Sequence, residues 1–410
     1  MTELTPTPSP SKRSTATLSK LATAFLAPLF FIIVFPLLFV GAIHKPTPND
    51  LSLLVVGPDQ VVSQIADGLD DTPEFAATHT DVEGEARSSV SHRTVMGSIE
   101  VLPNAVDPAS PDTPTFTVTT FVASAEGQAV AGTVRAIGAQ VADDLGASAT
   151  ATVVEVAPLD AEDPLGTNLF YLLTYTSLAA YLVIIVLMQV MPGARLRVRY
   201  AAVGAASIAA PLIVFGLSAI FVGDYGASFG TIAALLGVNA LYVFTVGSAA
   251  VLIEQFLGKM ATIGIMGFIV MLNFPSSGGP TPAALLPSFW QAVHSFYFGS
   301  GAYESFRSIV YFDGNGAQRW VLQLAAWTLG LVLVTVIVHL ARTVRSQRTE
   351  IAGLAAEAEA AAEAEPVQPA PAPTAVPKHV KHEMYEIEQF PDPDDSNYAR
   401  SITTGEGVNR

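Results

Sequence analysis

Three groups of residues in this sequence stand where chemistry is possible. The first is a set of polar side chains inside long apolar runs: Thr174, Thr176, Ser177, Ser207, Asn239, Thr245, Ser248 and Asn273. A buried amide or hydroxyl surrounded by hydrocarbon needs a partner. Such residues therefore either shape a polar route through a membrane or tie neighbouring helices together. Asn239, Thr245 and Asn273 are the candidates for a translocation path, with helix packing as the competing reading. The second group lies between Asn273 and Arg319, a stretch rich in aromatics. Helical spacing of Leu286, Phe289, Trp290 and Val293, and again of Tyr303, Phe306 and Val310, predicts two short amphipathic helices at about 282–312. Gly299 and Gly301 divide them. Glu304 and Arg307 stand three residues apart, a spacing that pairs them on one helical face. Phe289, Trp290, Glu304 and Arg307 form a candidate outer-face gate. The third group is Arg195, Arg197 and Arg199, whose charges mark where the chain leaves the membrane.

What is missing narrows the chemistry. There is no cysteine, which excludes disulfides and thiolate metal sites. No Gly-x-x-x-x-Gly-Lys-[Ser/Thr] run exists to cradle a nucleotide. No nucleophile–base pair or metal-ligand spacing stands out, so an enzyme is not expected, and neither a cofactor nor a metal is called for. His44, His79 and His92 read as solvated loop residues. No Asp, Glu, Lys or Arg falls in the middle of an apolar run, which argues against a proton- or sodium-driven antiporter. Glu254 and His339 lie at run ends, where interfacial roles are common. Between His44 and Gly166 nineteen acidic side chains face four basic ones, and the whole chain carries a formal charge of −16. A basic surface for nucleic acid is excluded.

The elements that hold these residues are membrane spans. From Asp163 to Lys259 the only other charged residues are Asp224, Glu254 and the three arginines. A water-soluble domain of that length would need charge on its outer face, so the solvent here is lipid. Six apolar runs are expected as transmembrane helices: Leu21–Ile43, Leu169–Met191, Tyr200–Val222, Phe229–Ile253, Met260–Phe274 and Trp320–Ala341. The fifth, at ~1.5 Å per residue, reaches roughly 22 Å and falls short of the ~30 Å hydrocarbon layer. Pro28, Pro36 and Pro211 sit within runs as kink candidates, and Gly230, Gly237, Gly247, Gly264 and Gly267 permit close helix contact. Lys12, Arg13 and Lys20, the arginine trio, Lys259, and Arg342, Arg345 and Arg348 all fall on one side of six crossings. The positive-inside rule then puts both termini in the cytoplasm of a multi-pass plasma-membrane protein.

The fold class expected is thus a polytopic α-helical membrane protein with six transmembrane helices and a small α/β extracytoplasmic domain between the first and second. Residues 1–20 read as a disordered cytoplasmic N-terminus, 21–43 as the first span and 44–166 as the external domain. The five-helix membrane part covers 167–341, and 342–410 a mostly disordered cytoplasmic tail. Within the domain, strands are expected at Leu51–Val56, Phe75–Val82, Val95–Leu102, Thr115–Ala123 and Ser148–Val156. Helices are expected at Val61–Leu69, Gly84–His92 and Gln128–Leu145. This alternation suggests a sheet with one helical layer. The Ala/Glu run from Ala352 to Glu365 reads as a short exposed helix, and Pro366–Pro377 as disordered.

Two stretches give the layout a family resemblance. One is Phe39-Val-Gly-Ala-Ile-His-Lys-Pro with the strand that follows it. The other is Asn273-Phe-Pro-Ser-Ser-Gly-Gly-Pro-Thr-Pro, with Leu286-Pro287 and the later Arg307-Ser-Ile-Val-Tyr-Phe-Asp-Gly. Over roughly residues 20–345 the chain resembles ABC type-2 membrane proteins of the phage-infection-protein (YhgE/Pip-like) group. It departs at the N-terminus, where a Pro/Thr/Ser segment stands in place of the amphipathic helix many such permeases carry. The resemblance implies an exporter permease, working as a homodimer in the lipid bilayer with a separate ABC ATPase. A lipid, envelope precursor or hydrophobic compound would be its cargo. Arg195, Arg197 and Arg199 would be the ATPase contact, and the short helices would line the external exit. The alternative is a non-transporting envelope scaffold or assembly factor that binds partners through the external domain.

Overall fold

The computed structural model describes residues 11–104, 115–146 and 149–364. Residues 1–10, 105–114 and 147–148 and the tail from 365 onward, including Pro366–Pro377, lie outside the described residues. The first helix, α1 (Ser11–Ile43), reaches back beyond the expected start of the span at Leu21, so residues 11–20 are helical rather than disordered. Pro28 and Pro36 lie inside it.

A five-stranded sheet follows. Leu51-Ser-Leu-Leu-Val-Val makes β1 (Leu51–Val56), an apolar run because the strand is central and covered on both faces. Helix α2 (Asp59–Asp70) returns the chain to β2 (Phe75–Thr80), parallel to β1 in the register Leu51↔Phe75. Helix α3 (Glu85–Ser91) leads to β3 (Gly97–Pro103), parallel to β1 on its other side. Strand β4 (Phe116–Val122) runs antiparallel to β3, and after α4 (Gln128–Asp144) β5 (Ala149–Glu155) lies parallel to β4. The order is β2-β1-β3-β4-β5. Alternation along β1 sends Leu51, Leu53 and Val55 into a core with Val62 of α2 and Val130, Val134 and Ile137 of α4. Leu54 and Val56 point the other way, against Ala86 and Val90 of α3. The expectation of one helical layer is therefore corrected: helices cover both faces. The second face became occupied because α3, only two turns long, still places two small apolar residues where β1 needs cover.

Four helices are long and apolar enough to cross a membrane: α5 (Asn168–Val190), α6 (Leu196–Val222), α7 (Phe229–Leu257) and α12 (Ala317–Ala364). Their outward side chains are apolar; Ile220 and Phe221 of α6 are 72% and 80% exposed. Only hydrocarbon makes such a surface inexpensive, and the chain is a membrane protein. Helix α1 is apolar over Pro28–Ile43, and a further apolar helical stretch, Ala261–Ser276, is shorter than the four. The second is broken in character: α8 (Ala261–Ile265), a π-helical segment Met266–Leu272 and α9 (Asn273–Ser276) follow one another. Pro211 lies inside α6. Of the five glycines noted in the spans, Gly247 lets α7 meet Val203 of α6, and Gly264 sits against Ile253 and Leu257. Gly230, Gly237 and Gly267 make no such close approach to another helix.

Helices α10 (Ser288–Phe296) and α11 (Phe298–Tyr311) are the two short amphipathic helices, but their division lies at Tyr297, not at the glycines. Tyr297 is extended (φ −76°, ψ 153°), so it caps one helix and starts the next. Gly299 and Gly301 fall in the first turn of α11 and serve contact instead: a Cβ on Gly299 would collide with the Asn273 amide, and one on Gly301 would crowd the α12 backbone at Trp320. Helix α11 is packed inside the molecule. Every residue from Phe298 to Ser308 is buried. Its aromatics Phe298, Tyr303 and Phe306 fill a core with residues of α5, α7 and α12. The Ala/Glu run is also no separate helix. It continues α12, since Ala and Glu are strong helix formers and Gly353 alone does not stop them. From Arg348 onward the chain forms a second compact unit, whose described residues are helical to Ala364.

A Cβ on Gly138 of α4 would fall 1.8 Å from Thr120 Oγ1 and 2.9 Å from its Cβ on β4. Helix propensity favours Gly138→Ala by up to ~1 kcal/mol, but the clash against a strand costs about 1–3 kcal/mol. The substitution should lower the unfolding temperature of the full chain; an unchanged or higher temperature would refute this packing of α4.

Candidate functional site

The sheet domain meets the rest of the chain at three places. The 3₁₀ turn Ala283–Leu285 enters the domain core, where Ala284 and Leu285 pack with residues of α2 and α4. Phe312, just past α11, joins the cluster under α3. Between these contacts lies a group of buried charges. Arg93 follows α3 in a left-handed conformation (φ 61°), uncommon for a residue with a Cβ. Glu126 ends the 3₁₀ turn Ser124–Glu126 after β4, a turn held to the end of β5 by Ala125 N–H donating to Ala157 O. Glu304 and Arg307 project from one face of α11.

The geometry is that of a closed network. Arg93 grips Glu126 with two bonds, Nε to Oε1 at 2.6 Å and Nη2 to Oε2 at 3.0 Å. Its Nη2 also donates to Glu304 Oε2 at 2.6 Å, and its Nη1 to Glu304 O and Ser308 Oγ. Arg307 Nη1 donates to Glu304 Oε1 at 2.8 Å and reaches Glu126 Oε2 at 3.3 Å, while Nη2 donates to Gly278 O at 3.1 Å. The guanidinium of Arg93 stacks over Phe312 and that of Arg307 over Tyr303, at 5.0 and 4.7 Å. None of the four side chains is more than 9% exposed. Burial works against the charges of Arg93, Glu304 and Arg307, but the opposite charges outweigh it. Arg307 and then Arg93 hold the Glu304 carboxyl down at about 2, and the carboxylates push both guanidinium pKa values up. His294 of α10 completes the group: its Nδ1 sits 2.8 Å from Ser276 O and its Nε2 3.8 Å from Glu304 Oε1. Burial lowers its pKa, although Glu304 opposes the shift. Gly278 (φ 88°) passes so close that a Cβ would lie 2.9 Å from Glu304 Oε1.

A cavity of about 300 Å³ opens onto this network. Arg93, Glu126, Glu304, Arg307 and His294 form its floor; Ser52, Met96, Pro282, Arg319 and Trp320 are among its walls.

The residues singled out from sequence fall into different settings. Glu304 and Arg307 do pair, but as half of a buried quartet. Trp290 is buried against Ala42 and Leu286, whereas Phe289 is 61% exposed, so the four gate candidates do not face one opening. Asn239 and Asn273 are fully buried in the helix bundle. Thr176 Oγ1 lies 2.9 Å from Asn239 Oδ1, Asn273 Nδ2 donates to Tyr242 Oη at 2.8 Å, and Tyr242 donates to Ser177 Oγ. Thr245 bonds Thr328 of α12 at 2.6 Å. These polar groups tie α5, α7, α9 and α12 together; Asn239 Nδ2 and Asn273 Oδ1 have no partner among the described residues. The arginine trio also divides. Arg199 forms an ion pair with Glu254 at 2.7 Å, joining α6 to the end of α7, while Arg195 and Arg197 are exposed. His44 and His92 each bring Nδ1 to a carbonyl one helical turn back, Val40 O and Ser88 O.

Arg93 and Glu126 escaped the sequence reading. The available signal was scarcity: Arg93 is one of four basic residues among nineteen acidic ones. No protein-family model matches this chain, and neither a curated protein nor a solved structure matches it.

Removing one partner of a buried ion network strands the others without solvent. Arg93→Met should cost about 3–5 kcal/mol of stability. Arg135 pairs with Glu155 at side-chain exposures of 37% and 29%, and Arg135→Met should cost no more than ~1 kcal/mol. Equal losses in chemical denaturation would contradict the network's role. The pH response has a defined sign. The folded His294 pKa lies below its usual 6.5, so the unfolded chain binds more protons there and stability falls as pH drops below about 6.5. The Glu304 contribution, present above about 4.5, is lost as pH falls toward 2. Unfolding followed from pH 7.5 to 5 should show the first loss in the wild type and less of it in His294→Gln.

Proposed function

We propose that this chain is the membrane subunit of an ABC type-2 exporter, with six spans, both termini in the cytoplasm and the sheet domain outside the plasma membrane. Four clusters of Lys and Arg at the run ends support that orientation. The first span is the apolar part of α1 and the fifth is the short α8–π–α9 segment. A short, π-containing helix against a full-length bundle is a common device at functional sites. The cargo is a lipid, envelope precursor or hydrophobic compound, energy comes from a separate ATPase, and the weakly covered sides of α6 and α12 are available to a second copy of the chain.

The observation that carries this reading is the join between α11 and the domain. Helix α11 packs on α5 and α7 and is bolted by Glu304 and Arg307 to Arg93 and Glu126. Any rearrangement of the spans would be passed to the external domain without slack. Of the arginine trio, Arg195 and Arg197 are the exposed pair suited to a cytoplasmic partner, since Arg199 is engaged with Glu254.

A second reading, an envelope scaffold, draws support from the bundle interior. Thr176, Ser177, Tyr242, Asn273, Thr245 and Thr328 bond across helices, as an anchor requires. Two experiments separate the possibilities. The chain has no native cysteine, so Thr152→Cys and Gly193→Cys are clean probes. An impermeant thiol reagent on intact cells should label the first and not the second; the reverse pattern would discard the topology. Purified in lipid with candidate ATPases, the protein should stimulate hydrolysis, and replacing Arg195 and Arg197 with Gln should weaken that several-fold. Absence of any co-purifying or stimulated ATPase sinks the exporter reading and leaves the scaffold.

A further inference from the structure

The charge balance of the 300 Å³ cavity is uneven in a way the network itself does not require. On its floor, Arg93 and Arg307 are matched by Glu126 and Glu304, so the quartet is neutral. His294 is held uncharged by burial in the company of Glu304, Arg307 and Arg319. That leaves Arg319. Its guanidinium stacks on Trp320 at 4.7 Å and has no ion-pair partner among the described residues. Arg319 and Gly316 are exposed and mark the open end, whereas Glu126, His294, Glu304 and Arg307 are buried. The cavity therefore carries one surplus positive charge at its mouth. A second mismatch lies deeper. With His294 Nδ1 turned to Ser276 O, its Nε2 faces Glu304 Oε1 at 3.8 Å, too far for a hydrogen bond. His294 Nε2 is therefore an acceptor at the cavity lining with no hydrogen bond among the described residues.

We propose that this cavity binds a singly charged phosphodiester bearing a free hydroxyl, with Arg319 as its principal contact. The net charge of +1 matches a phosphodiester, whereas a phosphate monoester would bring close to a second negative charge. A guanidinium set over the Trp320 ring still has N–H groups to offer to phosphate oxygens. The hydroxyl then donates to His294 Nε2 or Glu304 Oε1. The volume is at the lower end for small-molecule sites and suits a headgroup more than a whole lipid. Position supplies the last element. Arg319 and Trp320 stand in the first turn of α12, where the chain enters hydrocarbon, and phosphodiester headgroups lie at that boundary on either side of a membrane. The inference does not rest on the exporter reading, because a scaffold anchored by the same helices would present the same cavity.

Calorimetric titration of the purified full chain in detergent tests it with four probes: dihexanoyl phosphatidylglycerol, glycerophosphoglycerol, inorganic phosphate and dihexanoylglycerol. Saturable binding is expected for at least one of the first two, in preference to inorganic phosphate and the phosphate-free lipid. Binding of the phospholipid alone, or of both phosphodiesters, identifies a lipid headgroup as the natural source. Binding of glycerophosphoglycerol alone identifies a free phosphodiester; each of these results supports the site. Arg319→Gln should weaken binding at least about tenfold and Arg319→Lys should restore part of it. Because Arg319 is exposed, both variants should keep the wild-type melting temperature. No saturable binding, equal binding of dihexanoylglycerol, preference for inorganic phosphate, or unchanged affinity in Arg319→Gln would each overturn the proposal.

Discussion

Taking four charges out of water is costly, and the structure tolerates it only where each charge finds opposite charge and hydrogen bonds in place. Arg93, Glu126, Glu304 and Arg307 meet that condition together and not in pairs. Glu304 accepts from two arginines, Arg93 spans two carboxylates, and the remaining donors go to Glu304 O, Ser308 Oγ and Gly278 O. Arg93 and Glu304 are 211 residues apart, so the network exists only if the sheet domain and α11 are already aligned. That requirement explains local oddities around it. Arg93 accepts a left-handed backbone, Gly278 leaves room that a Cβ would fill, and the chain turns sharply at Tyr297 so that His294 and Glu304 share one cavity.

Apolar contacts reinforce the same alignment from either side. Ala284 and Leu285 complete the core beneath α2 and α4, and Phe312 completes the one beneath α3. The ionic network and the apolar plugs differ in kind. Apolar contact is non-directional and tolerates small shifts, whereas the bidentate Arg93–Glu126 pair fixes orientation. Together they make α11 part of two bodies at once: the membrane bundle through Phe298 and Phe306, and the sheet domain through Glu304 and Arg307.

Within the bundle, polar groups follow a related rule. Thr176, Ser177, Asn239, Tyr242 and Asn273 bond across α5, α7 and α9 because hydrocarbon offers no other partner. The close approach of Gly299 to Asn273 brings α11 against the same cluster. The broken helix from Ala261 to Ser276, the bonded polar interior and the charged joint therefore form one connected body.

Element by element, periodicity located most of this. The strand at Leu51, the helix after Gln128 and the long apolar helices follow from side-chain spacing and hydropathy, which are local properties. The three-residue spacing of Glu304 and Arg307 also announced their pairing. Local pattern failed where a residue's environment came from elsewhere in the chain. The burial of the aromatics on α11 was not legible, because the sequence cannot say that α5, α7 and α12 surround them. Arg93 and Glu126 looked like ordinary domain charges because their partners lie some 180–210 residues onward. Amino-acid order alone determined that this chain enters lipid and which segments are helix or strand, since transfer to hydrocarbon and backbone propensity act over a few turns. Which charges are buried together, and that a cavity with one unmatched arginine stands over them, was decided only by tertiary packing, because desolvation depends on neighbours that sequence distance conceals.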